Sequence, residues 1–507
     1  MSTVSGADHR GPFILAHDLG TSGDKASLHA ADGRLLAART APYATDFGPG
    51  GKAEQDPADW WAAFCAATRT LLDETGTRSA DIACVAMSGQ MMGVVLVDAH
   101  DEALGPAVIW ADTRAQREAG LLADRVGFER AYELLGHRLD PSYCLPKWMW
   151  LREHAPQAWS KATGVLVAKD ALTLRLTGRR CTDPSDASGT NAWDQAAGAW
   201  SDQMLAAGDI DAGLLPEVVP SATVAAGIRT EAARDCGLLA GTPVVVGGGD
   251  GSCAVLGAGL PADGSAANAT LGSSAWISVV TDEPLRDPGM RLVTYDHVVP
   301  GRFVPLGPMQ AAGASLEWIA TTLGVSGRDG LAAIVEAAGT VEAAREGLFF
   351  LPYLLGERAP IWDPSVRGTF VGLERHHRPE HLVRAVLEGV AFNLFGILRA
   401  ITDLAGSVAA VDAVGGGARG DTWLRIMADT WGLPVRRRSV RDEANSLGAA
   451  VIGGVAVGLI SDWAQAGSLS SVEATFEPDP VRHERALEDH ERFSDAYERL
   501  KGWFTGG

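Results

Sequence analysis

A chain of 507 residues is longer than one hydrophobic core usually serves, so at least two domains are expected. Its composition, 46% hydrophobic and 21% charged, is that of a folded globular protein. With 43 basic against 63 acidic residues the formal charge is −20, which excludes the basic face that nucleic-acid binding requires. The cysteines (Cys65, Cys84, Cys144, Cys181, Cys236 and Cys253) are scattered, with no C-x-x-C pair and no metal-ligand spacing. They read as buried thiols of a reducing compartment. The polar opening, MSTVSGADHRGP, is not a charged-then-apolar leader. The most apolar late stretch, Leu447 to Ile460, is short and rich in Gly and Ala, as a packed helix is. A cytoplasmic location with no membrane contact is expected.

Residues 1 to 11 read as a loose polar tail. From Phe13 an apolar run enters Asp18-Leu-Gly-Thr-Ser-Gly-Asp24 and alternates out again through Lys25 to Ala30, which spells a strand, a Gly-rich turn and a strand. Leu35 to Thr40 adds a third strand. Pro57 to Leu72 has helical periodicity, with Asp56 placed as N-cap before a proline at the first helical position. Asp81 to Ser88 is a buried strand, and Thr242 to Gly249 another. Ser265 to Val280 then repeats the opening design, Asp18-Leu-Gly-Thr-Ser-Gly aligning with Thr270-Leu-Gly-Ser-Ser-Ala. Gly301 to Leu306 supplies a further strand and Ala311 to Leu323 a helix. Two domains of like design are expected, 12–259 and 260–507.

Each turn lets backbone N–H groups converge into an anion-binding nest, although neither is a Walker A loop. Plain hairpin turns are the simpler alternative; paired turns preceded by a carboxylate favour phosphate. Asp18, at a strand end beside the turn, is placed to hold Mg²⁺, or alternatively to cap the turn. Three glycines before Asp250 clear space around its carboxylate, which is expected exposed at a strand end, at the mouth of a cleft, where it can take the proton of an acceptor hydroxyl during phosphoryl transfer, or alternatively form an Asx-turn. A second cluster, Gly415-Gly416-Gly417-Ala418, follows a strand and leads to a helix near Trp423 to Trp431. It suits close approach of an adenosine and does not meet the G-x-G-x-x-G fingerprint of a dinucleotide fold.

These residues resemble the FGGY carbohydrate kinases, and within them the xylulokinases, over about 13–458. Gly368 to Glu388 fits the long C-terminal family signature at every specified position. Ser142-Tyr-Cys-Leu-Pro-Lys147-Trp-Met-Trp150 fits the N-terminal one except for Cys144. SGQMMG at 88–93, SDASGT at 185–190, YLLGERAP at 353–360 and GGGARGDTWLRIMAD at 415–429 look like xylulokinase in particular. The resemblance implies an α/β fold of two RNase H-like, actin-like ATPase domains with the active site in the cleft between them. It implies ATP and Mg²⁺ as cofactors, and the conversion of D-xylulose to D-xylulose 5-phosphate. It assigns Asp250 as catalytic base and Asp18 as the metal-side carboxylate. Gly20, Thr21, Ser22, Gly23, Lys25, Gly272, Ser273, Ser274 and Gly415 to Ala418 would contact the nucleotide. Gln90, Met91, Met92, Asp112, Asp250 and Gly251 would contact the sugar. The expected partners are a small-molecule sugar and ATP, with a homodimer as the assembly to test.

Two departures fall in the sugar site. Xylulokinases usually read Met-His at Met91-Met92 and often Asn at Gly251. Each loss removes a hydrogen-bonding group, which changes discrimination among hydroxylated substrates. Kinases of L-xylulose, ribulose or erythritol are therefore the alternatives, and a non-catalytic sugar sensor on the same fold is a third. Met91-Met92 as core packing and His376-His377 as a solvated loop are the simpler readings of those pairs.

Overall fold

Phe13–Leu19 (β1) is apolar on both faces, and every side chain in it except that of Asp18 is buried. Such a strand belongs in the middle of a sheet. In the computed structural model, which describes residues 11–259, 264–440 and 443–505, it is central. The polar tail and the expected boundary after residue 259 thus fall largely outside the described residues. Gly23–Ala30 (β2) and Leu35–Pro42 (β3) follow β1 as an antiparallel meander. Ile82–Gly89 (β4) pairs parallel to β1 on its other side. Val224–Gly227 (β5) and Pro243–Gly249 (β6) complete the order β5-β6-β4-β1-β2-β3, with β6 parallel to β4 and β5 antiparallel to β6. The helix Pro57–Thr75 (α1) covers this sheet, and its Asp56 cap accepts from Ala58 N at 2.9 Å.

The second half repeats the design. Ala266–Leu271 (β7), Ala275–Ser278 (β8) and Phe303–Met309 (β9) form the meander. Ala410–Val414 (β10) and Val435–Arg438 (β11) add in parallel, and Val472–Phe476 (β12) closes antiparallel. Six strands of this sheet run β9-β8-β7-β10-β11-β12, and the first five repeat β3-β2-β1-β4-β6 of the first sheet in order and direction; the antiparallel edge strand precedes its neighbour in the first sheet and follows it in the second. The duplication read from two short turns is therefore carried by five strands of each sheet. The helix Gly313–Thr322 (α4) lies in this unit, as does Pro379–Ala405 (α5), whose apolar side chains are largely buried in its core. Among the described residues α5 is the one helix long and apolar enough to cross a membrane, and 83% of its most apolar window is buried inside the protein.

The described residues fall into two compact units. One comprises residues up to 259 with 295–303 and 443–469, and the other comprises 264–294, 304–440 and 470–505. A single cut near residue 260 would put the helix Ala444–Ala456 (α6) in the second unit, but it packs in the first. Glycines are the reason. A Cβ on Gly448 would stand 2.1 Å from the Cys253 carbonyl oxygen, and one on Gly257 would stand 1.8 Å from that of Ala444. Gly257 ends the helix Asp250–Gly257 (α3), so α3 and α6 touch backbone to backbone. Gly453 similarly clears Ala86 on β4. Gly448→Ala is expected to destabilise the protein by about 1–3 kcal/mol through overpacking, read as a lowered midpoint in denaturant unfolding.

Candidate active site

The parallel strands β1, β4 and β6 end side by side, which is where open α/β sheets present ligand-binding groups. Asp18 lies opposite Ser88 in the β1–β4 register, and Gly248 and Gly249 lie opposite Ser88 and Gly89 in the β4–β6 register. The sheet thereby brings Asp18, Ser88 and the residue after β6, Asp250, to one edge. Asp18 Oδ1 accepts from Ser88 Oγ at 3.0 Å and from Asn445 Nδ2 at 3.3 Å. Both side-chain bonds go to Oδ1, and Oδ2 has no hydrogen bond among the described residues. Ser88 opens the SGQMMG stretch, whereas Asn445 carries no sequence pattern of its own; only the fold shows that both meet Asp18. Lys25 faces Asp18 across the β1–β2 pair. Burial raises the Asp18 carboxyl above the usual range, opposed by Lys25 and the two hydrogen bonds.

Asp250 is half-buried and is the first residue of α3, rather than an exposed strand-end carboxylate. Its Oδ1 accepts from Gly251 N at 2.7 Å. Burial pushes its carboxyl up to about 7, the charge of Asp18 adds to the rise, and the Gly251 bond opposes it. The glycines before it are required sterically. Gly247 has φ 74°, and a Cβ there would stand 1.7 Å from the Met87 carbonyl oxygen; one on Gly249 would stand 2.7 Å from Met91 Cγ.

The turn between β1 and β2 is held from outside by its carbonyls. Gly20 O accepts from Gln90 Nε2 at 3.3 Å and from the Tyr43 hydroxyl. Thr21 O accepts from Gln55 Nε2 at 2.7 Å and Ser22 O from Tyr43 N at 3.2 Å. The N–H groups of Thr21 and Ser22 bond to none of the described residues, the disposition a phosphate nest needs. The second turn is built alike. Gly272 O accepts from Gly313 N at 3.0 Å, and Ser273 O from Ala312 N and Ala314 N at 2.9 and 3.0 Å. The N–H groups of Ser273 and Ser274 are again unused among the described residues. Gly415, at φ 90°, and Gly417 press on Leu271, the residue before that turn. Ala418 is buried.

Two expected sugar contacts are turned inward. Gln90 and Asp112 are each 1% exposed. Gln90 braces the first turn and donates to Gln55 Oε1 at 2.8 Å. Asp112 accepts from Ala53 N at 2.8 Å and pairs with Arg114 at 2.7 Å. The resemblance implies both as sugar contacts; here their side chains bond to supporting loops. Met91 is buried against Gly249 and Gly251, whereas Met92 is half-buried with φ 63°. Trp110, missed in the sequence, is 39% exposed and donates to Thr21 Oγ1 at 2.9 Å.

Other signature residues are structural. Glu357 accepts from Gln310 N and Arg358 N at 2.9 and 2.8 Å, and Glu388 from Ala344 N at 2.9 Å. His376 and His377 lie with Glu346 within 4.8 Å of one another in their ligand atoms. His377 Nδ1 accepts from Glu374 N and His381 Nδ1 from Arg378 N, which leaves the ring protons on Nε2. That tautomer caps the start of α5 and offers no lone pair from Nε2 to a metal. All six cysteines are buried and free.

Residues 13–257 match the N-terminal domain, and 267–457 the C-terminal domain, of the FGGY family of carbohydrate kinases. The xylulose kinase of Escherichia coli (strain K12) is 33% identical over 488 residues, covering 96% of this chain and 99% of that protein. The ligand-bound xylulose kinase of Lactobacillus acidophilus superposes with a TM-score of 0.91 at 26% identity, over 97% of this chain and 99% of that one. The gluconate kinase of the same organism gives a TM-score of 0.90 at 26% identity, over 96% of this chain and 98% of that one.

Proposed function

We propose that this chain, which belongs to the FGGY family of carbohydrate kinases, transfers the γ-phosphoryl group of ATP to a terminal hydroxyl of D-xylulose. The observation that carries the chemistry is the convergence of Asp18 and Asp250 at one sheet edge, next to a turn with unused amides. The sugar substrate rests on the similarity to xylulose kinases.

Asp250 accepts the proton of the attacking hydroxyl as its oxygen bonds to phosphorus, and ADP leaves with the bridging oxygen. The unused amides of Thr21 and Ser22 suit phosphoryl oxygens, as those of Ser273 and Ser274 do on the second unit, where Gly415 to Ala418 make room for the adenosine; Lys25 balances the charge near Asp18. Oδ2 of Asp18 fits an oxygen-preferring Mg²⁺, which would neutralise phosphate charge when bound. We assign the sugar and Asp250 to the first unit, and ATP mainly to the second. Met91, Met92, Gly251 and Trp110 form the sugar wall, while Gln90 and Asp112 act through the loops they brace.

A coupled assay of ADP release over D-xylulose, L-xylulose, ribulose, erythritol and gluconate tests this reading. D-xylulose should show the highest kcat/KM; turnover on none of the sugars removes the kinase assignment. The second reading, a kinase for another ketose or alditol, is favoured by Met92 and Gly251, which lack the polar groups usual at those positions. Met92→His should raise kcat/KM on D-xylulose by roughly tenfold, the scale of one added polar contact. Unchanged kcat and KM would place Met92 in the packing alone.

A further inference from the structure

The segments leading to Met92 and to Trp110 are joined by a reciprocal bridge, Val94 N to Val108 O at 2.8 Å and Val108 N to Val94 O at 3.0 Å. Beyond it Met92 and Gly93 continue one segment, and Ile109 and Trp110 the other. Lys147, on the helix Cys144–His154 (α2), reaches both. Its Nζ donates to Met92 O at 3.0 Å, Ile109 O at 2.7 Å and Ser142 O at 2.6 Å. An ammonium has three N–H donors, and all three are used on backbone carbonyls. The side chain is 1% exposed and forms no ion pair among the described residues. Cys144, on the same helix, adds a contact from Sγ to Gly93 O at 3.4 Å.

A buried cation spent on neutral carbonyls is costly unless it holds something in place. What it holds is unusual. Met92 sits at φ 63°, a left-handed conformation that side chains seldom adopt, and its carbonyl is one of the three acceptors. Met91, one residue back, packs on Gly249, the residue before Asp250. We propose that Lys147 is a positioning residue, a clamp that ties the Met91-Met92 and Ile109-Trp110 walls of the sugar site to each other through its bonds to the Met92 and Ile109 carbonyls, and to the segment before α2 through its bond to Ser142 O. This inference rests on the proposed function, which assigns those walls to the sugar.

The clamp needs the protonated form, because a neutral amine has two N–H groups and turns a lone pair toward the third carbonyl. Burial lowers the Lys147 pKa to about 8. The charged groups facing it are Asp112 and Asp140, which favour the ammonium, and Arg114, which opposes it. The adjacent Cys144 thiol is pushed up to about 12, so it keeps its proton through this range. The KM for the sugar should therefore be flat below about pH 8 and rise above it, while the KM for ATP stays level.

The test measures both constants from about pH 6.5 to about pH 9.5 in the wild type, Lys147→Met and Met92→Ala. Lys147→Met should raise the sugar KM about tenfold or more at neutral pH and abolish its alkaline rise, with kcat changed less than KM. A wild-type sugar KM that stays flat to the alkaline limit overturns the clamp, and this holds even if Lys147→Met does not fold. So does a folded Lys147→Met with the wild-type sugar KM. If Met92→Ala leaves the sugar KM untouched, the sugar-wall assignment falls and the clamp with it. If Met92→Ala changes it while the wild-type profile is flat, only the role of Lys147 is lost.

Discussion

Replacing Asp250 with asparagine should lower kcat by about a hundredfold or more, the scale of a lost general base, while ATP still binds. Asparagine preserves the shape and can still accept the Gly251 N–H bond, so the loss reports on proton acceptance. The residues proposed to hold the adenosine, Gly415 to Ala418, belong to the other compact unit, so nucleotide affinity should survive. The pH profile adds a second check. Asp250 works as a base only when ionised, and its carboxyl is raised to about 7. Wild-type kcat/KM should therefore fall about tenfold per pH unit below that value and level off between it and about pH 8, above which the sugar KM rises as Lys147 loses its proton. The acid limb should vanish in Asp250→Asn. Near-normal turnover in that variant, or a wild-type profile flat down to about pH 5.5, would reject Asp250 as the base.

Asp18→Asn should cost about a hundredfold in kcat and raise the Mg²⁺ concentration needed for half-maximal rate. The amide oxygen can still accept from Ser88 and Asn445, whereas the charge is gone. A consequence specific to this geometry concerns Asp250. The negative charge of Asp18 contributes to raising the Asp250 carboxyl, so removing it should move the acid limb of the residual kcat/KM to lower pH. An unmoved limb together with an unchanged Mg²⁺ requirement would mean that Asp18 serves only to join Ser88 and Asn445.

Much of this was legible in the residues themselves. The two hairpins, the repeat of their turns, the strand into Asp250 and the helix capped by Asp56 follow from alternation, glycine placement and capping, which act over a few neighbouring residues. The two turns with unused amides could be read for the same reason, since a nest is built from consecutive amides. Partners brought together by strand register and helix packing could not be read. Asp18 meets Ser88 across 70 positions and Asn445 across 427. Lys147 reaches back 55 positions to Met92. Gln90 and Asp112 are implied as sugar contacts by the resemblance, yet which way each side chain turns depends on the loops it bonds to. Local steric rules are written along the chain. Burial, charge coupling and the direction of a carboxylate arise only when distant segments exclude water from one another, so the raised carboxyl of Asp250 and the clamp at Lys147 belong to the tertiary structure alone.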